Sequence, residues 1–473
     1  MGRSIGPPSV LAEGRIVHEL SGSTITIRRN GPLMIHRLER RGVVAEYPVA
    51  YSVGAGMVGY SYMVRLGRYL FQSPATYYTR TKRWDLTPGY ETESHLDFTH
   101  PILSGCLFCH TGSLNLIEGT ANQFGDPPFT PISCERCHGP SAAHLAKPVP
   151  GSIVNPAKLA PRQRDSVCEQ CHLEGDMRVL NPGRDWFDFQ AGQAAESVFV
   201  TYLRIADPST LRAVSQSELL ARSQCARQSS GRLWCGTCHN PHASGRDRAQ
   251  EIRQVCLNCH SDLFAAGRHQ AAAECVSCHM PRLRPTNVQH SAVTDHSIPR
   301  TPHARDGAVA ANRELKAWRD PDTGLVQRDL GLAYFDLAAK EKSTPDLREA
   351  YDILSKLPPQ ERQDPVVEAD LASVLLQQKY RDLAIRMFAR ASAQEPSNAR
   401  YAYCLGAALG RAGKMEEAVK ELRRSIQLDP SQPDAYLELS QLYKKAGRDA
   451  ESRGALEEYL RFMPQNMRLR LPD

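Results

Sequence analysis

Cys106-Leu-Phe-Cys109-His110 is the first of six copies of the pentapeptide Cys-x-x-Cys-His, and the last copy is Cys275-Val-Ser-Cys278-His279. Each copy has the spacing of a c-type haem attachment site. Two thiols that are two residues apart can each add to one vinyl group of the same porphyrin, and the next residue then directs an imidazole toward the iron. The stretch 106–279 therefore predicts six covalently bound haems, or one haem for every 29 residues.

The prediction assigns a ligand role to every cysteine and histidine of the six motifs. The twelve cysteines expected to bind haem covalently are Cys106, Cys109, Cys134, Cys137, Cys168, Cys171, Cys235, Cys238, Cys256, Cys259, Cys275 and Cys278. The six proximal iron ligands are His110, His138, His172, His239, His260 and His279. Of the 14 cysteines, only Cys225 and Cys404 lie outside the motifs.

Two other roles for paired cysteines are disfavoured by the same spacing. Zinc ribbons combine two Cys-x-x-Cys pairs, but they do not require a histidine directly after every second cysteine. A framework of disulfides has no reason to repeat one spacing six times. The cysteine content is therefore interpreted as a haem count, and the expected cofactors are six c-type haems with their iron.

Ten further histidines are available as second axial ligands of the irons. His144 follows its motif after a Gly-Pro turn, and His242 lies in His239-Asn-Pro-His242, too close to bind the same iron as His239. The predicted distal ligands are His100, His144, His242, His269, His290 and His296, with His95 as the alternative to His100. Bis-histidine ligation tends to keep the potential low compared with a His/Met pair.

The N-terminal part has the pattern of β-structure. Thr24-Ile25-Thr26-Ile27 alternates polar and apolar residues, and an Asn30-Gly31 turn follows. A small antiparallel sheet is expected between about residues 15 and 90. Eight of the 17 tyrosines lie between Tyr47 and Tyr90. They either wall a haem or, as we favour, fill one face of this sheet.

A 34-residue period begins after His303, the last histidine of the chain. It is carried by prolines and leucines that recur 34 residues apart: Pro396, Pro430 and Pro464, and Leu371, Leu405 and Leu439. The period and these positions match the tetratricopeptide pattern of two antiparallel helices. We expect regular units at 364–397, 398–431 and 432–465, preceded by an irregular unit at 326–363 with a lengthened turn between its helices.

Stacked helix pairs leave a concave groove, which usually holds a segment of another protein. The groove is expected to dock a redox partner protein or a sister subunit. The alternative is that the array only caps or spaces the haem-binding part. Cys404 lies in a repeat helix and is interpreted as a small core residue.

The formal net charge of +6 lies entirely before residue 326, because 23 basic and 23 acidic residues follow. We interpret the excess of basic residues as partners for the negatively charged propionates of the haems. No nucleic-acid role is indicated, since no basic stripe is interleaved with aromatic residues. The longest apolar runs are far shorter than the roughly 18 residues of a membrane-spanning helix.

Haem attachment to such motifs takes place outside the cytoplasm, so a periplasmic or extracellular location is expected. The first residues do not form the charged, apolar and small-residue regions of an export signal. We therefore expect an N-terminal segment to be missing from, or already removed from, this sequence.

Four stretches resemble the multihaem cytochromes c that are fused to tetratricopeptide repeats. They are Cys134-Glu-Arg-Cys-His-Gly-Pro-Ser-Ala-Ala-His144, Cys168-Glu-Gln-Cys-His-Leu173, Cys235-Gly-Thr-Cys-His-Asn-Pro-His242 and Cys275-Val-Ser-Cys-His-Met-Pro281, the last followed by Thr294-Asp-His-Ser-Ile298. This family is related, through its haem packing, to cytochrome c-554 and to the octahaem nitrite and hydroxylamine enzymes. The resemblance implies closely stacked haems and electron transfer outside the cytoplasm. It also supports His144, His242, His269, His290 and His296 as distal ligands.

The predicted fold is mainly α. It consists of a small antiparallel β segment (1–94), a loop-rich multihaem cytochrome c domain with short helices (95–303), a linker (304–325) and an α-solenoid of tetratricopeptide repeats (326–473). The predicted function is electron transfer along six haems. One alternative is an oxidoreductase that acts on a small nitrogen or sulfur species at one open haem, and a second is a subunit of a polymeric haem filament.

Overall fold

The computed structural model describes residues 5–8, 12–56, 58–204, 211–243, 249–262, 274–300, 313–321 and 324–466. Its N-terminal part is a nine-stranded antiparallel sheet. The strands are β1 (Ile5–Gly6), β2 (Gly14–His18), β3 (Ser23–Asn30), β4 (Leu33–Arg40), β5 (Val43–Val53), β6 (Gly59–Leu66), β7 (Tyr69–Gln72), β8 (Ala75–Tyr78) and β9 (Arg83–Leu86).

The sheet nearly closes on itself. The strand order is β2-β3-β4-β5-β6-β8-β9, with β1 paired to β5 and β7 paired to β6. At the two ends of this order, Trp84 Nε1 of β9 donates a hydrogen bond of 2.8 Å to the carbonyl of Ala12, just before β2. A Cβ atom on Gly14 would lie 2.1 Å from the Trp84 ring, so only glycine allows this approach. The right-handed twist of antiparallel strands makes such curling possible.

The prediction of a mainly α fold with a small β segment is wrong, because the N-terminal sheet is large and further sheets follow it. Strand β4 explains part of the error. Its sequence, Leu-Met-Ile-His-Arg-Leu-Glu-Arg, has no clean apolar alternation, yet His36 and Arg40 are both buried in it. A polar residue that faces the interior of a sheet does not produce the period-2 signal on which strand prediction depends.

The middle of the chain consists of short helices and small sheets. The helices are α1 (Ser104–Phe108), α2 (Glu135–His138), α3 (Ala142–Ala146), α4 (Pro161–His172), α5 (Gln216–Arg222), α6 (Gln224–Gln228), α7 (Cys235–Cys238), α8 (Ala249–His260) and α9 (Cys275–His279), with 3-10 turns at Pro156–Lys158, Trp186–Asp188 and Ala195–Ser197. The strands are β10 (Thr111–Leu116), β11 (Phe124–Pro131), β12 (Met177–Leu180), β13 (Phe199–Arg204), β14 (Arg282–Leu283), β15 (Val293–Thr294) and β16 (Leu315–Ala317). They form the antiparallel sheets β10-β11, β12-β13-β16 and β14-β15.

The C-terminal part consists of stacked helix pairs. The helices are α10 (Val326–Glu341), α11 (Thr344–Leu354), α12 (Pro359–Arg362), α13 (Pro365–Gln377), α14 (Arg381–Gln394), α15 (Ala399–Arg411), α16 (Met415–Leu428), α17 (Pro433–Lys445) and α18 (Asp449–Phe462). The expected long turn between α10 and α11 is wrong, since only residues 342–343 separate them. The first helix of this unit is longer instead, with 16 residues in α10 against 13 in each of α13, α15 and α17.

The repeat helices share one core with the sheets. Phe462, at the end of α18, packs edge-on against Tyr69 of the N-terminal sheet, with 5.0 Å between the ring centroids. At the other end, the hydroxyl of Tyr334 in α10 accepts a 2.9 Å hydrogen bond from the backbone N–H of Leu315 in β16. Within the described residues, no helix is both long enough and apolar enough to cross a membrane.

Gly406 and Gly454 allow a matched test of the repeat packing. A Cβ atom on Gly406 in α15 would lie 2.8 Å from Leu422 Cγ and 3.0 Å from its backbone nitrogen, whereas one on Gly454 in α18 meets nothing within 4 Å. We expect Gly406→Ala to lower the free energy of unfolding by about 1–3 kcal/mol through overpacking. Gly454→Ala should raise it by roughly 0.5–1 kcal/mol through helix propensity. Thermal unfolding followed by circular dichroism measures both, and equal effects would contradict the described packing.

The burial of His36 is expected to make the free energy of unfolding depend on pH. The side chain is fully buried, and burial lowers its pKa from 6.5 to about 3, while Nδ1 lies 2.7 Å from Ser73 Oγ. Between these two pH values the unfolded chain binds a proton that the folded chain does not bind, so stability falls as pH drops from 6.5 toward 3.

At pH 4.5 the expected loss is about 2–3 kcal/mol relative to neutral pH. We expect His36→Gln to remove this part of the pH dependence and His95→Gln to retain it. Urea unfolding at the two pH values measures the difference. If the free energy of unfolding of His36→Gln falls between the two pH values as much as that of the unsubstituted protein, the pKa of His36 is not lowered by folding.

Candidate haem sites

Each of the six motifs lies in a short helix or at its end. The first motif begins in α1, the third and fifth motifs end α4 and α8, and the others form most of α2, α7 and α9. One helical turn brings residues three apart onto the same face. The two cysteines of each motif are therefore positioned for one porphyrin.

Thiols of different motifs lie close to one another. The Cys109 thiol interacts with that of Cys171, the Cys168 thiol with that of Cys235, and the Cys256 thiol with that of Cys275. These contacts connect the first motif to the third, the third to the fourth, and the fifth to the sixth. In addition, α2 packs against α4 and α7 packs against α8. The six attachment segments thus form one continuous cluster.

The contact between Cys109 and Cys171 changes the ionisation of both thiols in the chain before haem is attached. The pKa of Cys109 is lowered to about 7, first by the hydrogen bond with Cys171 and then by Arg178 and Arg136, with burial opposing the change. The same hydrogen bond, together with burial, raises the pKa of Cys171.

Two proximal histidines have the hydrogen bond that an iron ligand requires. His138 Nδ1 lies 2.7 Å from the carbonyl of Val154, and His279 Nδ1 lies 2.9 Å from the carbonyl of Pro299. Because a carbonyl only accepts, Nδ1 carries the proton and Nε2 keeps the lone pair that can bind a metal. Burial also lowers the pKa of His110 and His172, which favours their neutral, ligating form.

The structure brings two predicted distal histidines next to proximal ones. The ring centroids of His242 and His138 are 5.8 Å apart, and those of His296 and His239 are 6.1 Å apart, with nearly parallel planes in both pairs. His296 Nδ1 lies 2.9 Å from the carbonyl of Thr294, so its Nε2 also carries the lone pair. Metal–imidazole bonds of about 2 Å on each side would fit within these separations.

The remaining predicted distal ligands have different surroundings. His144 Nδ1 bonds to Ser152 Oγ at 2.8 Å, and His100 stacks on Tyr90 at 4.4 Å. His290 Nε2 lies 2.6 Å from Asp85 Oδ2 of the N-terminal sheet. His269 lies outside the described residues. All six distal assignments stay predictions.

Apolar surface and cavities surround the motifs. Leu103, Leu145 and Val149 are exposed beside the first motif and His144. A cavity of about 430 Å³ is bordered by α2, the start of β10 and aromatic residues that include Phe187. A second cavity, of about 260 Å³, contains Cys235 of the fourth motif. Both cavities have apolar and charged side chains in their walls, and Cys235 is the one attachment cysteine among their lining residues.

Several residues with a positioning role were missed by sequence reasoning. Arg178 in β12 donates hydrogen bonds of 3.0 Å to the carbonyls of Glu169 and Gln170, at the C-terminus of α4. The Glu169 carboxylate in turn accepts from Arg319 at 2.8 Å and from Trp318 at 3.1 Å. No spacing or composition signal marks these residues, because Arg178 binds backbone carbonyls that any sequence provides, and Arg319 and Glu169 are 150 positions apart in the chain.

The sequence analysis assigned no role to Cys225, which lies outside the six motifs. The structure locates it on α6, within electrostatic reach of Cys238 and Cys256 in the fourth and fifth motifs. This thiol therefore belongs to the haem-attachment cluster by position.

Three family models match separate parts of the chain. The model for cytochrome c554 and c-prime matches residues 77–139, the doubled CXXCH motif matches 228–265, and the TPR repeat matches 411–447. No curated protein matches the chain.

Solved structures also resemble part of the chain. One titled "Crystal structure of MamA" is 20% identical, covers 31% of this chain and 81% of that chain, and has a TM-score of 0.27. Another, MamA 41-end from Desulfovibrio magneticus RS-1, is 17% identical, covers 28% of this chain and 76% of that chain, and has a TM-score of 0.25. At these scores the likeness carries no argument about function.

The family matches confirm the resemblance that the motifs suggested, because cytochrome c segments, paired CXXCH motifs and tetratricopeptide repeats occur together in one chain. The protein matches the multihaem cytochromes c fused to tetratricopeptide repeats.

Proposed function

We propose that this protein carries electrons outside the cytoplasm along six covalently bound c-type haems. The matches to cytochrome c and to the doubled CXXCH motif support a haem-based electron-transfer protein. When bound, each haem supplies one-electron exchange at its iron. The chain supplies the attachment thiols, the axial imidazoles, and the burial and hydrogen bonds that set each potential.

The observation that carries the proposal is the continuous cluster of the six attachment segments. Contacts between the motifs run from the first and second to the third, and then through the fourth and fifth to the sixth. Groups held on such adjacent helices would lie close enough to exchange electrons in sequence. A protein that uses its haems independently would have no need for this contiguity.

Two histidine pairs support closed iron sites. We assign His138 and His242 to one iron and His239 and His296 to another, because each pair is nearly parallel with centroids about 6 Å apart. Irons with two protein ligands exchange electrons without binding a substrate. This favours a carrier over an enzyme.

The repeats are proposed to dock a redox partner or a sister subunit. The first helices of successive units, α13, α15 and α17, pack side by side. In their shared face, Arg400 of α15 bonds to the buried Asp370 of α13 at 2.7 Å, and the arginine remains half exposed. Charged groups fixed in this way are suited to selecting the orientation of a protein partner.

A second candidate function rests on His290. Its Nε2 is held by Asp85 at 2.6 Å, and its ring meets Tyr78 edge-on at 5.0 Å. A histidine bound through Nε2 to a carboxylate does not close an iron site. The alternative is therefore an oxidoreductase in which one haem, without His290 as its second axial ligand, is open to a small nitrogen or sulfur species.

The spin states of the irons separate the two candidates. We expect the fully oxidised protein to contain six haems by mass, all low-spin in its low-temperature electron paramagnetic resonance spectrum. One high-spin iron whose signal shifts on addition of nitrite or hydroxylamine would instead establish the oxidoreductase. Fewer than six haems by mass would contradict both forms of the proposal.

The pairing of His138 with His242 predicts the effect of a single substitution. His242→Ala should convert one low-spin haem to high-spin and leave the other signals unchanged. His18→Ala removes the same side chain from β2, where Nδ1 of His18 bonds to Ser21 at 2.8 Å, and should leave every haem low-spin. An unaltered spectrum in His242→Ala would exclude this histidine as an axial ligand.

A further inference from the structure

The first three motifs are joined to one another by hydrogen bonds between their own residues. Arg136 Nη2, from the second motif, donates a hydrogen bond of 2.7 Å to the carbonyl of Phe108 in the first motif. Gln170 Nε2, from the third motif, donates one of 3.0 Å to the carbonyl of Arg136. Cys109 Sγ, in the first motif, lies 3.5 Å from the carbonyl of Gln170. The three contacts close a ring through three motifs.

Only two of these contacts persist once haem is attached. Cys109 then becomes a thioether, which has no proton to donate, so its contact with Gln170 is lost. Those that remain both involve Arg136, which donates through its side chain and accepts through its backbone. Arg136 is therefore the connection between the first and third motifs in the loaded protein.

The guanidinium of Arg136 is also held against aromatic rings. Its central carbon lies 4.4 Å from the centroid of the Phe108 ring and 5.2 Å from that of Phe187. A planar, delocalised cation stacks on such rings while its N–H groups donate at the edges. The charge is thus fixed in position beside the motifs.

All three attachment segments are close to this charge. The thiols of Cys109, Cys137 and Cys171, one from each of the three motifs, are all close enough to interact electrostatically with Arg136. It also borders the 430 Å³ cavity between α2 and β10. A fixed positive charge near an iron disfavours the ferric state, which carries one more positive charge than the ferrous state.

We infer that Arg136 is a positioning residue that locks the first three haem motifs together and holds their potentials above the values they would otherwise have. The inference rests on the proposed function, since it requires haems at all three motifs. Arginine suits the role because it combines a permanent charge, a fork of donors and a flat face. Lysine would keep the charge alone.

Potentiometric titration of the intact six-haem protein tests this inference. We expect Arg136→Gln to move about half of the total haem absorbance change to lower potential, corresponding to three of six motifs, and to leave the other half in place. Arg136→Lys should restore most of the shift because it retains the charge. An equal shift of all six haems, or no shift at all, would overturn the inference.

The control is Arg184→Gln, which removes the same charge from an exposed residue of the same region. It should leave the titration unchanged, and a shift as large as that of Arg136→Gln would overturn the inference. If Arg136→Gln matures with fewer haems, mass spectrometry of the haem peptides identifies the motifs that have lost their haem. Loss confined to the first three motifs supports the inference, and loss spread over all six contradicts it.

Failure of the inference can be told apart from failure of the proposed function. The proposed function fails if the unsubstituted protein lacks six haems or if its irons are not low-spin. The inference fails if the unsubstituted protein has six low-spin haems and the redox titration of Arg136→Gln is the same as that of the unsubstituted protein.

Discussion

The haem-attachment region has to complete its core with groups that the polypeptide does not supply. In the described residues, its own apolar clusters are small: one centres on Phe108 and Phe199, and another on Leu219 and Val293. By contrast, one extended core joins the N-terminal sheet to the repeats. Chains of this kind gain much of their folding free energy from a bound group, as small metal-binding domains do. The surrounding sheets and helices then act as a frame around the cofactors.

The frame also fixes charge at the motifs. Arg178 and Arg136 donate to backbone carbonyls of the motif helices, and Arg319 binds the buried Glu169. Each arginine is held by at least two contacts, including a ring contact at Phe199, Phe108 and Trp318 respectively. Positive charges that cannot move away keep a constant effect on nearby redox groups. This agrees with the excess of basic residues before residue 326.

Local chemistry could be predicted from the sequence, and long-range pairing could not. The Cys-x-x-Cys-His spacing indicated attachment sites because two thiols and one imidazole must reach one haem. The tetratricopeptide pattern was recognisable because it repeats. The N-terminal sheet was underestimated, since strands such as β4 place His36 and Arg40 inside and so hide their alternation. The contact of His290 with Asp85 joins residues 205 positions apart, and no local pattern could reveal it.

The way the repeats are anchored has a consequence for how this family can change. A free solenoid gains or loses units easily, because each unit contacts only its neighbours. Here the array is held at both ends, by Tyr334 against β16 and by Phe462 against Tyr69. Duplication of one 34-residue unit would displace α18 from the N-terminal sheet. The number of repeats is therefore tied to the span between two fixed sheets, and evolution can alter their surface residues more readily than their count.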